Sequence, residues 1–328
     1  MSGAWTFAVI PAFLSWALIA LLRRTPLAHR ALDRPNERSL HRLPTPRVGG
    51  IGVMLAALPI AIVGGGGELA AVLACAAVLA LVSAIDDLRS LPIGVRLAAH
   101  IAAAALAVVE LGPSGAISVV VVLAIGWMTN LFNFMDGADG LAGGMAMIGF
   151  SAYAYAAHAA GEMPLAAASI ALGAAAAGFL VHNFPPARVF LGDAGSIPLG
   201  FLAGALGLAG YARGAWPAWF PVLVFSPFIV DATITLARRV LRGERPWRAH
   251  RDHYYQRLVL AGWSARRLAL ASYALMIVVC VAALAGRAEG LMLQCGIISA
   301  AAGVYALLLV AIEGRLRPAG DATHPPPR

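Results

Sequence analysis

Five stretches of this 328-residue chain carry side chains able to do chemistry, and four of the five are built around short acids or histidines. The first is Asp86-Asp87, followed by Leu88-Arg89-Ser90-Leu91-Pro92. Adjacent carboxylates repel unless a cation, a proton or an Arg stabilises them, so such a pair can bind Mg²⁺ directly, bind it through water, or serve as a base. The second is Asn130-Leu131-Phe132-Asn133-Phe134-Met135-Asp136-Gly137-Ala138-Asp139-Gly140-Leu141-Ala142-Gly143-Gly144. Asn130 and Asn133 share a helix face, and Asp136 and Asp139 follow in a Gly-rich turn. Their oxygens are the hard ligands Mg²⁺ prefers, and the glycines let backbone N–H groups approach a ligand closely. An EF-hand is excluded by the ligand count and the missing terminal Glu. The third is Phe190-Leu191-Gly192-Asp193-Ala194-Gly195-Ser196. Asp193 can cap a helix that starts there, or hold a metal beside a helix N-terminus that receives phosphate.

The fourth stretch is the basic loop holding Arg238, Arg239, Arg242, Arg245 and Arg248, then His250-Arg251-Asp252-His253-Tyr254-Tyr255-Gln256-Arg257. Arg and His together can bind pyrophosphate through charge-assisted hydrogen bonds, but the Arg run also fits topology signalling and attraction to anionic lipid. The fifth runs from Asp33 through Asn36, Glu37, Arg38, Ser39 and His41 to Pro44-Thr45-Pro46-Arg47-Val48-Gly49-Gly50, where Arg47 can meet a lipid phosphate or snorkel. Cys75, Cys280 and Cys295 lie in apolar runs without metal spacing and read as small buried hydrophobes.

The elements that must position these residues are membrane helices. The chain is 60% hydrophobic and 12% charged, with a mean hydropathy of +0.80. Soluble domains carry about 25% charged residues, so a soluble globular protein, a disordered chain, a collagen and a nucleic-acid binder are all excluded. The net charge of +8 therefore implies no nucleic acid partner; its location matters more than its sum. Eleven apolar runs are legible, at about 4–22, 49–63, 69–85, 94–110, 117–134, 140–158, 164–181, 196–210, 218–237, 267–285 and 291–312. The first is read as a span, not a cleaved signal peptide, because Arg23-Arg24 follow it and no basic residue precedes it. The positive-inside rule then predicts an outer (periplasmic) N-terminus and a cytoplasmic C-terminus. It puts 22 of the 24 Arg on the inner face and only Arg213 and Arg287 on the other. Glu68, Glu110, Glu162 and Glu289 mark the outer turns as solvated helix ends, whereas Asp86, Asp87, Asp136, Asp139 and Asp193 gather on the inner face. Asp231 sits near the middle of the ninth run, where an acid needs a partner or a wet cavity. The expected architecture is an all-α polytopic membrane protein, a single domain over 1–316 with a disordered tail at 317–328.

Taken in order, PTPRVGG, the Asp pair, NLFNFMDGADGLAGG, LGDAGS and HRDHYYQRL resemble the polyprenyl-phosphate N-acetylhexosamine-1-phosphate transferases over nearly the whole chain. The resemblance implies Mg²⁺-dependent (or Mn²⁺-dependent) transfer of sugar-1-phosphate from a UDP-N-acetylhexosamine to a polyprenyl phosphate. The chemistry would take place on the cytoplasmic face of a bacterial inner membrane. It assigns Asn133 and Asp193 to the metal, and Asp86 and Asp87 to deprotonating or positioning the lipid phosphate. Asp136 and Asp139 go to a nucleotide-contacting turn supported by Asn130, and His250, Arg251 and His253 to the donor loop. Arg47 is matched to the lipid phosphate. Members of that family often form homodimers, and a homodimer is an expectation here. The donor loop lacks three consecutive histidines, which argues against a UDP-muramoyl-pentapeptide donor and for the branch that starts O-antigen or other surface glycans.

Two other classes compete. A transporter would explain many spans and the acid at Asp231, but it calls for polar groups near the bilayer centre, whereas these cluster at one edge. A CDP-alcohol phosphatidyltransferase also uses Asp clusters and Mg²⁺, but its DGxxAR-type signature is missing where Asp139-Gly140 runs into Leu-Ala-Gly-Gly.

Overall fold

The computed structural model describes residues 6–35, 40–41, 43–245 and 250–316. The polar stretch 36–39, Arg248 and the tail at 317–328 lie outside the described residues. The rest is a bundle of α-helices: α1 Thr6–Leu22, α2 Pro26–Arg30, α3 Gly49–Gly65, α4 Ala70–Arg89, α5 Ile93–Leu111, α6 Ala116–Phe134, α7 Leu141–Ala159, α8 Met163–Asn183, α9 Asp193–Ala212, α10 Trp219–Val224, α11 Ser226–Leu241, α12 Tyr254–Leu260, α13 Ala265–Gly286 and α14 Leu291–Leu316. Each of the eleven apolar runs coincides with one of these helices, or, for the ninth, with two. Among the described residues seven helices are long and apolar enough to cross a membrane, and α1 and α3 are shorter apolar helices. The protein is an all-α, multi-pass membrane protein. Leu291, Met292, Leu307 and Val310 of α14, with Val63, Val109 and Leu241, face outward. Such a surface is costly in water and ordinary in lipid.

The ninth run is split at Phe225 because Pro227 has no N–H to give the Leu223 carbonyl. The Ser226 hydroxyl takes that carbonyl at 2.7 Å and shares a second hydrogen bond with the Tyr305 hydroxyl at 2.6 Å. The break leaves Asp231 early in α11 instead of at the centre of a continuous span. Three small elements fall in stretches read as loops: α2, α12, and an antiparallel pair of β1 (Leu32–Asp33) with β2 (Thr45–Pro46).

Buried Ala, Gly and Leu residues of α9 form the centre of the bundle, packed against α3, α4, α5 and α6. The contact of α3 with α9 is backbone to backbone. A Cβ on Gly50 would lie 2.2 Å from the Gly195 nitrogen, so only glycine allows the approach. The Gly49 and Gly50 N–H groups donate to the Phe190 and Leu191 carbonyls at 2.9 and 2.7 Å. The two glycine-bearing motifs are thus fastened to each other at one end of the bundle.

At the opposite end Arg213 pairs with Glu68 at 2.6 Å and Glu162 at 3.5 Å. These two glutamates are therefore partners in an ion-pair cluster joining three turns, not merely solvated helix ends.

Candidate active site

The N-terminus of α9 is the centre of the site. Gly192 caps it with φ +72°, a conformation glycine adopts without strain, and a Cβ there would press on Asp87 and Arg47. The N–H groups of this first turn face carboxylates. The Ala194 N–H donates to Asp87 Oδ2 at 3.1 Å, and Asp136 lies within electrostatic reach of Asp87 and Asp193. Anions at a helix N-terminus are stabilised by the unpaired donors and the helix dipole. Asp193 itself lies beside Asp86. Four of the inner-face acids, Asp86, Asp87, Asp136 and Asp193, are thereby brought together from α4, the α6–α7 turn and α9.

Two arginines balance this charge. Arg47 Nη1 stands 3.4 Å from Asp87 Oδ1. Arg96, in the first turn of α5, places Nη1 2.9 Å from Asp86 Oδ2 and Nη2 3.7 Å from Asp193 Oδ2. Asp86 also accepts the Leu91 N–H at 2.6 Å. Burial, then the neighbouring Asp193 and Asp87, push the Asp136 carboxyl well above the usual range. Asn133 is fixed to the same turn of α9 because the Ser196 hydroxyl donates to its Oδ1 at 2.8 Å. Asp87 Oδ1 is buried and accepts no hydrogen bond.

Asp139 does not join the acid group. Its Oδ2 accepts the Ala187 N–H at 2.9 Å, and burial raises its carboxyl's pKa. Asn183, the last residue of α8, works alongside it, accepting from Gly140 N–H at 2.8 Å and donating to the Val189 carbonyl at 2.9 Å. Together they lace the α6–α7 turn to the loop that leads into α9. Asn130 turns its amide back to the Gly126 carbonyl at 2.7 Å.

Residues of the HRDHYYQRL stretch flank this turn. The Tyr255 hydroxyl donates to the Phe134 carbonyl at 3.0 Å. The His253 ring centre lies 6.2 Å from that of Phe134 and 5.0 Å from that of His250. Burial, then His253 and Arg239, push the His250 imidazole down to about 4. Arg251 is exposed, and among the described residues its side chain has no hydrogen bond or ion pair. Several arginines of the basic loop are already committed. Arg239 pairs with Asp252 and, at 2.8 Å, with Glu244. Arg257 pairs with Glu313 of α14 at 2.6 Å, and Arg238 pairs with the same carboxylate.

Arg96, His100, Asn183 and Ser196 were not singled out by sequence reasoning. Arg96 and His100 are one turn apart on a helix whose spacing faces the Asp pair, and polar side chains inside a membrane helix are the signal that could have found them.

Residues 69–211 match the profile described as glycosyl transferase family 4. The chain is 30% identical over 321 residues to a decaprenyl-phosphate N-acetylglucosaminephosphotransferase of Mycolicibacterium smegmatis, covering 82% of this chain and 77% of the other. The chain belongs to glycosyl transferase family 4. Another relative, from Yersinia pestis, is an undecaprenyl-phosphate alpha-N-acetylglucosaminyl 1-phosphate transferase, 29% identical over 77% of this chain and 76% of its own. A phospho-N-acetylmuramoyl-pentapeptide-transferase of Moorella thermoacetica is 36% identical, but over only 48% of each chain. The family-4 match spans the Asp pair, the Asn/Asp turn and the LGDAGS loop, the stretches that meet at the head of α9.

Proposed function

We propose that this family-4 protein transfers N-acetylhexosamine-1-phosphate from a UDP-sugar to a polyprenyl phosphate and releases UMP. The observation that carries the proposal is the gathering of Asp86, Asp87, Asp136 and Asp193 with Asn133, Arg47 and Arg96 around one helix N-terminus. Supporting it are the names of the relatives, which act on decaprenyl or undecaprenyl phosphate.

Donor and acceptor are both anions, so their approach requires positive charge. An all-oxygen donor set, in which the buried Asp87 Oδ1 takes no hydrogen bond and faces only the Arg47 guanidinium at 3.4 Å, suits Mg²⁺. Among the described residues no three acids, imidazoles or thiols enclose an ion. Asn133 and Asp193 are the residues that would hold Mg²⁺, with Mn²⁺ an alternative. When bound, the ion would neutralise charge on the donor pyrophosphate. Arg47 and the α9 N–H groups hold Asp87, and Arg96 holds Asp86 and Asp193, so the acids stay in place while substrates exchange. A phosphate oxygen of the lipid attacks the sugar-bearing phosphorus, the new P–O bond forms, and the bond to UMP breaks with its electron pair leaving on UMP. That acceptor oxygen is already largely ionised near neutral pH, so Asp87 serves by position as much as by basicity.

The site opens to the cytoplasm of a bacterial inner membrane, in an eleven-span arrangement with an outer N-terminus. The basis is the Arg asymmetry: the end carrying the site also carries Arg23, Arg24, Arg47, Arg96 and the basic loop. The product would start an O-antigen or other surface glycan, because the donor loop lacks three histidines in a row. The test is a panel of UDP-N-acetylhexosamines with labelled polyprenyl phosphate, reading UMP release with Mg²⁺ and with EDTA. Release with at least one donor, abolished by EDTA, is expected; full release in EDTA would refute the metal, and no release with any donor would refute the reaction.

A further inference from the structure

Asp231 has no task in the chemistry above, yet it is an acid within the apolar ninth run, where an unpaired carboxylate is costly. Its partners all belong to α11 or the donor loop. Oδ1 accepts the Tyr254 N–H at 3.0 Å and lies 3.2 Å from His253 Nδ1; Oδ2 accepts the Tyr255 N–H at 3.0 Å. The Thr235 hydroxyl, one turn on, donates to Oδ1 at 3.2 Å. A single side chain of α11 therefore holds three successive residues of the loop.

A carboxylate has no proton to offer, so its contact with buried His253 places a proton on Nδ1 and leaves Nε2 as the ring nitrogen that Asp231 does not engage. The ring cannot turn away. It stacks on Tyr255, with centres 5.8 Å apart, and borders Phe134 and His250. Tyr255 in turn reaches the Phe134 carbonyl, at the start of the turn that carries Asp136. The path from Asp231 to the Asn/Asp turn is thus two side chains long.

We infer that Asp231 is a positioning residue: it pins the donor loop against the Asn/Asp turn and fixes the His253 ring, so that Nε2 meets the nucleotide sugar. The inference rests on the proposed reaction for the identity of that ligand. Asp231→Asn is the informative change. An amide has one acceptor oxygen, so its NH₂ must oppose either Tyr255 N–H or the Tyr254 and His253 donors. Losing charge-assisted hydrogen bonds of this kind corresponds to a rise of about ten- to a hundredfold in KM.

The experiment uses the full-length protein in detergent, with UDP-N-acetylglucosamine and polyprenyl phosphate as probes. Initial rates of wild type, Asp231→Asn and Asp231→Glu are read beside hydrogen exchange of the Tyr254 and Tyr255 amides. Asp231→Asn is expected to raise the donor KM by that factor, leave the lipid KM within about twofold, and expose both amides to exchange. Asp231→Glu, which keeps two acceptor oxygens, is expected to recover part of the donor KM. Unchanged exchange, or equal rises in both KM values, would overturn the inference. A wild type that transfers nothing from any UDP-N-acetylhexosamine of the panel would instead overturn the proposed reaction, while exchange at Tyr254 and Tyr255 would still decide whether Asp231 holds the loop.

Discussion

Gly50→Ala puts the geometry of the site under direct strain without touching any charged group. The new Cβ would stand 2.2 Å from the Gly195 nitrogen and 2.4 Å from its Cα, where ordinary contact begins at 3.4 Å. The atoms it meets are backbone, so no rotamer change relieves it, and α3 must separate from α9 by roughly 1 Å. Overpacking of this size costs about 1–3 kcal/mol of stability. Arg47 precedes α3 by two residues and Asp87 is bonded to the head of α9. The same displacement therefore stretches the 3.4 Å Arg47–Asp87 contact beyond ion-pair range. A misplacement near 1 Å can cost about a hundredfold in rate. The assay is UMP release at saturating donor and lipid, with thermal unfolding in the same detergent to show that the bundle persists. A folded Gly50→Ala protein with a kcat near wild type would refute the claim that this contact registers the two motifs.

Asp193→Asn should nearly abolish turnover while the bundle stays folded, since the amide keeps the shape but loses the charge; a normal rate would remove Asp193 from the site. His253→Ala should raise the donor KM more than the lipid KM, and the reverse pattern in initial-rate measurements would move the loop to the acceptor. His250, held down to about 4 when folded against an ordinary value near 6.5, sets a pH dependence. In the folded chain the ring stays neutral down to about pH 4, so its stability contribution is complete above pH 6.5 and is lost as pH falls from there toward 4, because the unfolded chain takes up the proton first. Thermal unfolding of wild type and His250→Gln at pH 7.5 and 5 should show the larger acid loss in wild type; equal losses would exclude His250 as a source.

The helices and the clustering of short acids at one end were legible because both are written in local pattern: apolar runs of spanning length, and Asp kept to alternate turns. What brings the acids together was not. Asn183 and Gly140 are 43 residues apart, and Asp231 and Tyr255 24 apart, so no spacing rule links them. Arg96 lies outside every motif, and only the fold-back of α5 beside α4 places it between Asp86 and Asp193. The break at Phe225 had a signal in Pro227, but the unbroken apolar run hid it, and with it the position of Asp231. Glu68 and Glu162 read as solvated helix ends because their common partner, Arg213, lies far along the chain from both.

The central claim is that Asn133 and Asp193 share one divalent cation beside the donor. Electron paramagnetic resonance of Mn²⁺, titrated into the purified protein with UDP-N-acetylglucosamine, measures this without relying on turnover. The account expects one bound ion per chain, displaced by Mg²⁺ and lost in both Asp193→Asn and Asn133→Ala. Binding that survives both substitutions, or a wild type that binds no ion, would contradict it.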